Sequence, residues 1–404
     1  MVCGLLGRKL GHSYSPAIHA QLGDYAYLLF EREPEELEDF LLNGDWDGIN
    51  VTMPYKETVI PYLDELTPIA QELGAVNTII RRDGKLIGSN TDYAGFLAMV
   101  EKSGLSPSGK KCLVLGSGGA SKVVQVVLRK MGAIVVVISR SGENNYENIH
   151  KHSDAAILVN TTPVGMYPDT GVTPVDLDLF STLEGVLDVV YNPVRTQLVM
   201  DAEKRGVVAI SGLWMLIAQA IQAITEIAGQ PPQKISAEEI HAVLRKQMEN
   251  IILVGMPGCG KSTIGRLLAE KTGKGFVDTD AQIEILAQKN IPSIFAEDGE
   301  DVFRQWETQV LQTWGKRSGL VIATGGGCVT KNRNYPLLHQ NGTIIYLQRD
   351  VESLPTDGRP LSQSGDLKQM YQKRHPLYLA FADRIIDNNG TAEDTVNAIL
   401  EEFR

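Results

Sequence analysis

The segment GMPGCGKST, residues 255–263, has the composition of a loop that holds phosphate groups. It lies between the apolar run NIILV and the segment TIGRLLAEKTG, an order that predicts a strand, a glycine-rich turn and a helix. Glycines at such a turn let backbone N–H groups face a phosphate. Lys261 can reach the β- and γ-phosphates of ATP, and the Ser262 hydroxyl is the expected Mg²⁺ ligand. The predicted ATP-binding residues are Gly258, Cys259, Gly260, Lys261, Ser262 and Thr263.

Four further segments of the second half carry residues suited to phosphoryl transfer. FVDTD (276–280) places two carboxylates two residues apart at a predicted strand end, so that both point the same way. TGGGCV (324–329) follows another predicted strand, and its glycines expose bare backbone. EDVFRQWE (300–307) contributes an arginine, and two more stand in TDGRPLSQ and YQKRHPLY. Arginine pairs with carboxylate through two parallel hydrogen bonds, which suits a small anionic acceptor.

In order and spacing these segments resemble shikimate kinase over about residues 249–404. The resemblance implies that Asp278 helps to hold Mg²⁺, while Asp280 acts on the acceptor hydroxyl as base or orienting group. It also implies that Arg359 reaches the transferred phosphate from a lid. The residues that it implies for binding shikimate are Arg304, Gly326, Gly327 and Arg374.

The first half contains a second glycine-rich turn, GSGGAS (116–121), between the predicted strand KKCLVL and the helical SKVVQVVLRKMG. It is a variant of the dinucleotide-binding pattern. At the end of the next predicted strand stands Arg140, where an NAD-binding fold has an acidic residue for the ribose. Arginine would pair with a 2′-phosphate, so we predict NADP and leave NAD use open. The predicted cofactor residues here are Gly116, Gly118, Gly119, Ala120, Ser139, Arg140 and Ser141.

Polar residues ahead of this turn could bind and protonate a carbonyl substrate. The segments that carry them are LGHSYSPAIH, NVTMPYK, GAVNTI and SNTDYAG. Lys56 and Asp92 form a lysine–carboxylate pair of the kind that shuttles a proton to a carbonyl oxygen.

With NTTPVGM, DVVYNP and GLWMLIAQA further on, these segments resemble shikimate dehydrogenase over about residues 1–248. By that resemblance Lys56 donates and accepts the proton and Asp92 orients it. The substrate carboxylate is held by Ser13, Ser15, Thr52 and Tyr191, and the ring hydroxyls are read by Asn50, Asn77 and Gln219. Further cofactor contacts are expected at Thr161, Gly212 and Met215.

Short β-branched runs alternate with helical patterns along the whole chain, which predicts α/β folds with parallel sheets. We expect a dehydrogenase-like part at 1–248, with a substrate domain at 1–95 and 213–248 and a Rossmann-type NADP domain at 96–212. A P-loop α/β kinase domain is expected at 249–404. The implied small-molecule substrates are 3-dehydroshikimate and shikimate.

The chain has 404 residues and a formal net charge of −11. An acidic total argues against a nucleic-acid or membrane-surface binder. The beginning of the sequence lacks a signal-peptide pattern, so we expect a cytoplasmic protein, of oligomeric state left open. Three alternatives stay open: one part is catalytically dead and serves as a regulatory or binding module, the oxidoreductase prefers quinate, or the kinase part acts on a related small molecule.

Overall fold

The structure is a computed structural model that describes residues 1–11, 13–232, 235–354 and 367–403. The chain divides into two compact units. The first unit consists of Met1–Met166, Val172–Tyr191 and Leu198–Leu244. The second unit consists of Tyr167–Gly171, Asn192–Gln197 and Arg245–Arg404. The proposed domain boundary near Glu249 stays a prediction.

The first unit begins with a mixed sheet of order β2-β1-β3-β5-β6-β4, in which β5 runs antiparallel to both of its neighbours. Its strands are β1 (Val2–Gly7), β2 (Ala26–Glu31), β3 (Gly48–Val51), β4 (Glu65–Leu66), β5 (Thr78–Arg82) and β6 (Lys85–Ser89). The helices along this stretch are α1 (Ser15–Leu22), α2 (Leu37–Asn43) and α3 (Pro68–Leu73). Apolar residues of β1 and β3 lie in a buried core with Trp46 and Tyr55.

The second sheet of the first unit is parallel throughout and has the order β11-β10-β9-β7-β8. Its strands are β7 (Lys111–Leu115), β8 (Ile134–Ile138), β9 (Ile157–Asn160), β10 (Gly185–Asp188) and β11 (Val208–Ser211). The helices of this stretch are α4 (Asp92–Ser103), α5 (Gly119–Lys130), α6 (Gln197–Lys204) and α7 (Leu213–Ala228). The chain passes from β7 to β8 on one side and then to β9 on the other. In a Rossmann-type domain, a ligand crevice is expected at this switch point, outside the carboxyl ends of β7 and β9.

The second unit is built on a parallel sheet of order β13-β14-β12-β15-β16. Its strands are β12 (Asn250–Val254), β13 (Gly275–Asp278), β14 (Leu320–Ala323), β15 (Gly342–Gln348) and β16 (Arg384–Asp387). Helix α8 (Ala237–Met248) precedes β12 in the chain. The helices that follow are α9 (Lys261–Thr272), α10 (Thr279–Ala287), α11 (Ile291–Ser293), α12 (Glu300–Trp314), α13 (Asn334–His339), α14 (Leu367–Phe381) and α15 (Ala392–Glu402). Every residue of β12 is buried, so this strand needs the near-continuous apolar run that its sequence provides.

The expected α/β folds of the dehydrogenase-like part and of the kinase part are therefore confirmed.

The helices of the described ranges include none that is long and apolar enough to cross a membrane.

Asn250 at the start of β12 is fully buried and makes three hydrogen bonds within the second unit. Its Nδ2 donates to the carbonyl of Arg317 at 2.6 Å, and its Oδ1 accepts from the backbone of Leu320 at 2.8 Å. Its own backbone N–H donates to the carbonyl of Asn341 at 2.7 Å. The side chain thereby joins the central strand to the turn that leads into β14.

Substitution Asn250→Ala should lower the free energy of unfolding of the second unit by about 2–4 kcal/mol, because each buried polar group left without a partner costs about 1–3 kcal/mol. Urea titration of the full chain, followed by circular dichroism, measures the change. Asn332→Ala, at an exposed position of the same unit, is the matched control. Equal unfolding midpoints for the two variants would show that the buried amide does not stabilise this sheet.

Candidate functional site

The proposed proton-transfer pair of the first unit is formed in the structure. Lys56 follows β3, and Asp92 is the first residue of α4. The Nζ of Lys56 lies 2.6 Å from Oδ2 of Asp92. The two side chains are 29% and 15% exposed, so a small molecule can reach a pair that is otherwise shielded from water. The ammonium group is therefore held in one place, with hydrogens left to donate.

The residues expected to bind the substrate carboxylate lie near the start of α1. Ser15 opens this helix, and its backbone N–H donates to Oγ of Ser13 at 3.2 Å. The ring of Tyr14, between the two serines, packs edge-on against the ring of Tyr191 at 5.9 Å. Thr52 bonds through its backbone to the carbonyl of Leu6 in β1. The aromatic contact thus brings Tyr191 to the segment that carries Ser13 and Ser15.

The residues expected to read ring hydroxyls come from the sheet and from α7. Asn50 in β3 and Asn77 just before β5 are buried. Gln219 lies on α7 and donates to the carbonyl of Leu216 at 2.8 Å. A Cβ atom on Gly95 of α4 would lie only 2.9 Å from Cβ of Gln219. The close approach of these two helices brings Gln219 within one turn of the Asp92 end of α4.

The glycine-rich turn of the first unit lies at the switch point between β7 and β9. Gly116 has a φ of +104°, and a Cβ there would lie 2.9 Å from Oγ1 of Thr161. The Ser121 hydroxyl, in place of the third glycine of the pattern, donates to the carbonyl of Gly116 at 2.7 Å. The turn leads through Gly118 into α5, which begins at Gly119 and continues through Ala120. The N-terminus of α5 thus lies at the switch point, and a helix N-terminus is suited to bind a pyrophosphate.

The other residues predicted to contact the cofactor lie after β8 and at the start of α7. Ser139, Arg140 and Ser141 follow β8, and Arg140 is exposed. Gly212 precedes α7. A Cβ atom on Gly212 would lie 2.1 Å from the carbonyl oxygen of Val189, so no side chain fits at this position. Met215 lies on the first turn of α7 and is buried.

The phosphate loop of the second unit joins β12 to α9. Gly258 and Gly260 have φ values of +84° and +94°, which favour glycine. Lys261 is buried, and its Nζ donates to the carbonyls of Gly255 and Met256, each at 2.9 Å. The Nζ hydrogens that bond to these loop carbonyls are the ones that would face a bound phosphate. Cys259 is buried within the loop, and Thr263 lines the cleft described below.

A hydroxyl and a carboxylate next to this loop suit a magnesium ion. The Oγ of Ser262 donates to Oδ2 of Asp278 at 2.6 Å, while Oδ1 of Asp278 caps α10 by accepting from the backbone of Asp280. Mg²⁺ prefers hard oxygen ligands and takes only one or two from the protein, with water and phosphate completing its shell. These two groups fit that requirement.

A cleft of about 620 Å³ joins the phosphate loop to the expected acceptor residues. It is lined by residues from β13, α12, the loop after β14 and α14, among them Asp278, Asp280, Arg304, Gly326, Gly327 and Arg374. Burial raises the pKa of Asp280 to about 6, against the opposing effect of Lys261. Within the described ranges, Oδ1 of Asp280 is buried and has no hydrogen-bond partner.

The glycines after β14 make room for both arginines of the cleft. A Cβ on Gly327 would lie 2.2 Å from Nη1 of Arg304, so the guanidinium packs directly on this backbone. The carbonyl of Gly326 accepts from Nη1 of Arg374 at 3.2 Å and from the hydroxyl of Tyr378. Arg359 lies outside the described residues. Arg349 lies within the described ranges and lines the cleft.

Glu307 also lines the cleft, although its sequence pattern predicted no role for it. It is fully buried, and both of its oxygens accept from Nη1 of Arg304, at 2.9 and 3.1 Å. Burial raises the pKa of Glu307 to about 7, although the Arg304 charge opposes that shift. Glu300 binds the other side of the same guanidinium at 2.9 Å. The i, i+3 spacing of arginine and glutamate in EDVFRQWE is the signal that could have found it.

Comparison with known proteins assigns both units. A family model for the shikimate dehydrogenase substrate binding domain matches residues 5–79, and one for shikimate kinase matches residues 257–404. A shikimate dehydrogenase (NADP(+)) from Methanosphaera stadtmanae is 36% identical over 270 residues, covering 59% of this chain and 95% of the relative.

Two solved structures are similar to the same part of the chain. One is shikimate 5-dehydrogenase from Thermus thermophilus in complex with NADP(H) and shikimate, at 30% identity and a TM-score of 0.55, covering 61% of this chain and 99% of that chain. The other is quinate dehydrogenase from Corynebacterium glutamicum in complex with NAD, at 27% identity and a TM-score of 0.55, covering 60% of this chain and 98% of that chain.

Fold and sites together define an NADP-linked α/β oxidoreductase joined to a P-loop phosphotransferase. More particularly, the chain belongs to the shikimate dehydrogenase family and carries a shikimate kinase domain as its second part. The resemblance stated from the motifs is confirmed at the level of family for both parts.

The substitution Gly325→Ala should impair phosphoryl transfer without affecting the oxidoreductase. Its Cβ would lie 2.6 Å from Oδ1 of Asp280 and 2.8 Å from Oε1 of Glu307, so both carboxylates would have to move. A displacement of about 1 Å in a reacting group can cost about 10²-fold in rate, which is the expected loss in kcat/KM for shikimate.

Steady-state kinetics of ADP formation measures this loss. The matched control is Gly390→Ala, in the same unit, where a Cβ would meet nothing closer than 3.4 Å. A kcat/KM for Gly325→Ala equal to that of the control would show that phosphoryl transfer does not need the side-chain-free position beside Asp280 and Glu307.

Proposed function

We propose that the chain catalyses two successive reactions, the NADPH-dependent reduction of 3-dehydroshikimate to shikimate and the Mg·ATP-dependent phosphorylation of shikimate to shikimate 3-phosphate. The observation that carries this proposal is that each unit combines a nucleotide turn with its own set of acceptor-binding groups. In the first unit the proposed groups belong to the same compact unit as the Lys56–Asp92 pair, and in the second they line one cleft with Asp280.

In the first reaction, bound NADPH supplies the hydride. Lys56 donates a proton to the carbonyl oxygen that becomes the new hydroxyl, and Asp92 keeps the ammonium group in position. General acid catalysis of this kind needs the donor within hydrogen-bond reach of the reacting oxygen. The substrate carboxylate lies at Ser13, Ser15, Thr52 and Tyr191, and its hydroxyls lie at Asn50, Asn77 and Gln219.

Arg140, between Ser139 and Ser141, would pair with the 2′-phosphate of the cofactor. Gly116, Gly118, Gly119 and Ala120 would hold the pyrophosphate at the N-terminus of α5. Thr161, Gly212 and Met215 would contact the nicotinamide side. Arg140 is exposed after β8, where a cationic side chain favours NADP over NAD.

In the second reaction, Asp280 accepts the hydrogen bond of the acceptor hydroxyl and takes up its proton as the phosphoryl group moves. Arg304 and Arg374 bind the shikimate carboxylate, with backbone N–H groups of Gly326 and Gly327. Lys261 and the loop residues 258–263 would hold the phosphates of ATP, and Ser262 and Asp278 would hold Mg²⁺. Arg359 is proposed as the lid residue on its motif alone. Phosphoryl transfer depends mostly on positioning and on neutralising charge, which these groups provide.

We place the protein in the cytoplasm and the domain boundary near Glu249. The quinate alternative has a specific support, since a quinate dehydrogenase that binds NAD is among the similar structures. Comparison of quinate and shikimate as substrates for NADP⁺ and NAD⁺ reduction decides between them.

Substitution Lys56→Ala should lower kcat for 3-dehydroshikimate reduction by about 10²–10⁴-fold, the usual contribution of a general acid or base. Shikimate phosphorylation should stay at the wild-type rate, because Lys56 belongs to the first unit. Lys85→Ala, at an exposed ion pair of the same unit, is the matched control. A loss of less than tenfold in Lys56→Ala would remove this residue from the catalytic role.

A further inference from the structure

A buried chain of hydrogen bonds connects the two asparagines that are expected to read ring hydroxyls. The hydroxyl of Tyr27 in β2 donates to Oδ1 of Asn50 at 2.8 Å. Nδ2 of Asn50 donates to Oγ1 of Thr78 at 3.2 Å, and Thr78 in turn donates to Oδ1 of Asn77 at 3.1 Å. Thr91 closes the chain, because its backbone N–H donates to the same Oδ1 of Asn77 at 2.7 Å.

One member fixes the direction of every bond in this chain. The backbone N–H of Thr91 can only donate, so the atom of Asn77 that faces it must be the oxygen. The Thr78 hydroxyl lies 3.1 Å from that oxygen and 3.3 Å from Oγ1 of Thr91, and either hydroxyl could donate in the second contact. Donation to the amide oxygen follows the shorter contact and uses the single hydrogen of Thr78. This hydroxyl therefore accepts from Asn50, which presents its Nδ2.

The other end of the chain agrees with this direction. With Nδ2 of Asn50 turned to Thr78, its Oδ1 faces Tyr27, which must donate. Burial raises the pKa of Tyr27, so its hydroxyl keeps the hydrogen that it needs. The ring of Tyr27 is itself held by stacking on His19, with centroids 3.7 Å apart and planes 11° apart.

The direction decides what the two amides can offer to a ligand. Both side-chain oxygens are occupied by protein donors. The groups left over are the Nδ2 of Asn77, which has no partner in the described part of the chain, and the second hydrogen of Asn50 Nδ2. Both asparagines therefore present N–H donors, and they read an oxygen of the substrate as an acceptor.

Thr78 is the residue that connects the two amides. It is fully buried and its hydroxyl contacts Asn50 on one side and Asn77 on the other. Its backbone belongs to β5, which pairs with β3 through the partners Asn50 and Thr78. The hydroxyl is therefore held between the two amides by the sheet itself, and it does not need a ligand to set it there.

We propose that Thr78 is a positioning residue of the oxidoreductase site, whose buried hydroxyl fixes both amides as hydrogen-bond donors toward the ring oxygens of the substrate. The proposal rests on the proposed function in taking Asn50 and Asn77 to be substrate-binding residues. It assigns to Thr78 a role in substrate affinity and specificity, with no part in proton or hydride transfer.

The variant Thr78→Val keeps the shape of the side chain and removes the hydroxyl. Asn50 then loses the acceptor that orients its Nδ2, and its amide can turn to present oxygen. We expect KM for 3-dehydroshikimate to rise about tenfold, as a polar contact is lost or reversed, with kcat changed less than about threefold. Thr78→Ser keeps the hydroxyl and should restore KM to within about twofold of wild type.

The experiment is steady-state kinetics of the full chain with 3-dehydroshikimate and NADPH, together with KM for NADPH and the rate of shikimate phosphorylation. An unchanged KM for NADPH and an unchanged kinase rate show that Thr78→Val is folded. Should this variant fail to fold, Tyr27→Phe tests the same chain from its other end, because it removes the donor to Asn50 and leaves the ring stack. A raised KM for 3-dehydroshikimate in Tyr27→Phe would then support the proposal.

The proposal fails if folded Thr78→Val has the wild-type KM for 3-dehydroshikimate. It also fails if this KM rises equally in Thr78→Val and Thr78→Ser. Where Thr78→Val is unfolded, a wild-type KM for 3-dehydroshikimate in Tyr27→Phe overturns it. Failure of the proposed function would look different. In that case the wild-type chain itself would not reduce 3-dehydroshikimate.

Discussion

The carboxyl ends of neighbouring parallel strands lie at one edge of a sheet, and both sites depend on this constraint. Loops that are far apart in the sequence meet there. In the first unit it brings the turn at Gly116 against Thr161, which follows β9. In the second it brings the phosphate loop after β12, the glycines after β14 and the Asp-Thr-Asp segment at the end of β13 into one cleft. The hydroxyl of Thr279, between the two aspartates, accepts from the backbone of Gly325 and ties two of these loops together.

Local charge at each site is balanced within the unit, although the chain as a whole carries a net charge of −11. Arg304 is held between Glu300 and Glu307, and Lys261 bonds to carbonyls of its own loop. Lys56 is paired with Asp92. A buried charge is costly unless it is paired and hydrogen-bonded, so these partners keep the cationic groups in place before an anionic ligand arrives. Asp280 differs from these groups, because its buried Oδ1 has no hydrogen-bond partner within the described ranges. This supports its proposed role toward a substrate hydroxyl.

The sequence predicted the α/β folds and the families, because strand, turn and helix patterns surround each motif and the motifs are local. It also predicted the Lys56–Asp92 pair, which the structure forms. It did not predict the role of Glu307, since that depends on which face of α12 is buried. The direction of the bonds through Thr78 was equally out of reach, because it depends on the pairing of β3 with β5. The burial of one face of α12 and the pairing of β3 with β5 both arise from packing between segments that are distant in the chain.

One chain carries two sites, and the second acts on the product of the first. The direct measurement is a single reaction with 3-dehydroshikimate, NADPH and Mg·ATP, in which NADP⁺, ADP and shikimate 3-phosphate are quantified over time. The three products should reach equal amounts at completion, and omission of ATP should leave shikimate as the end product. Oxidation of NADPH with no ADP and no shikimate 3-phosphate, or no oxidation of NADPH at all, would contradict it.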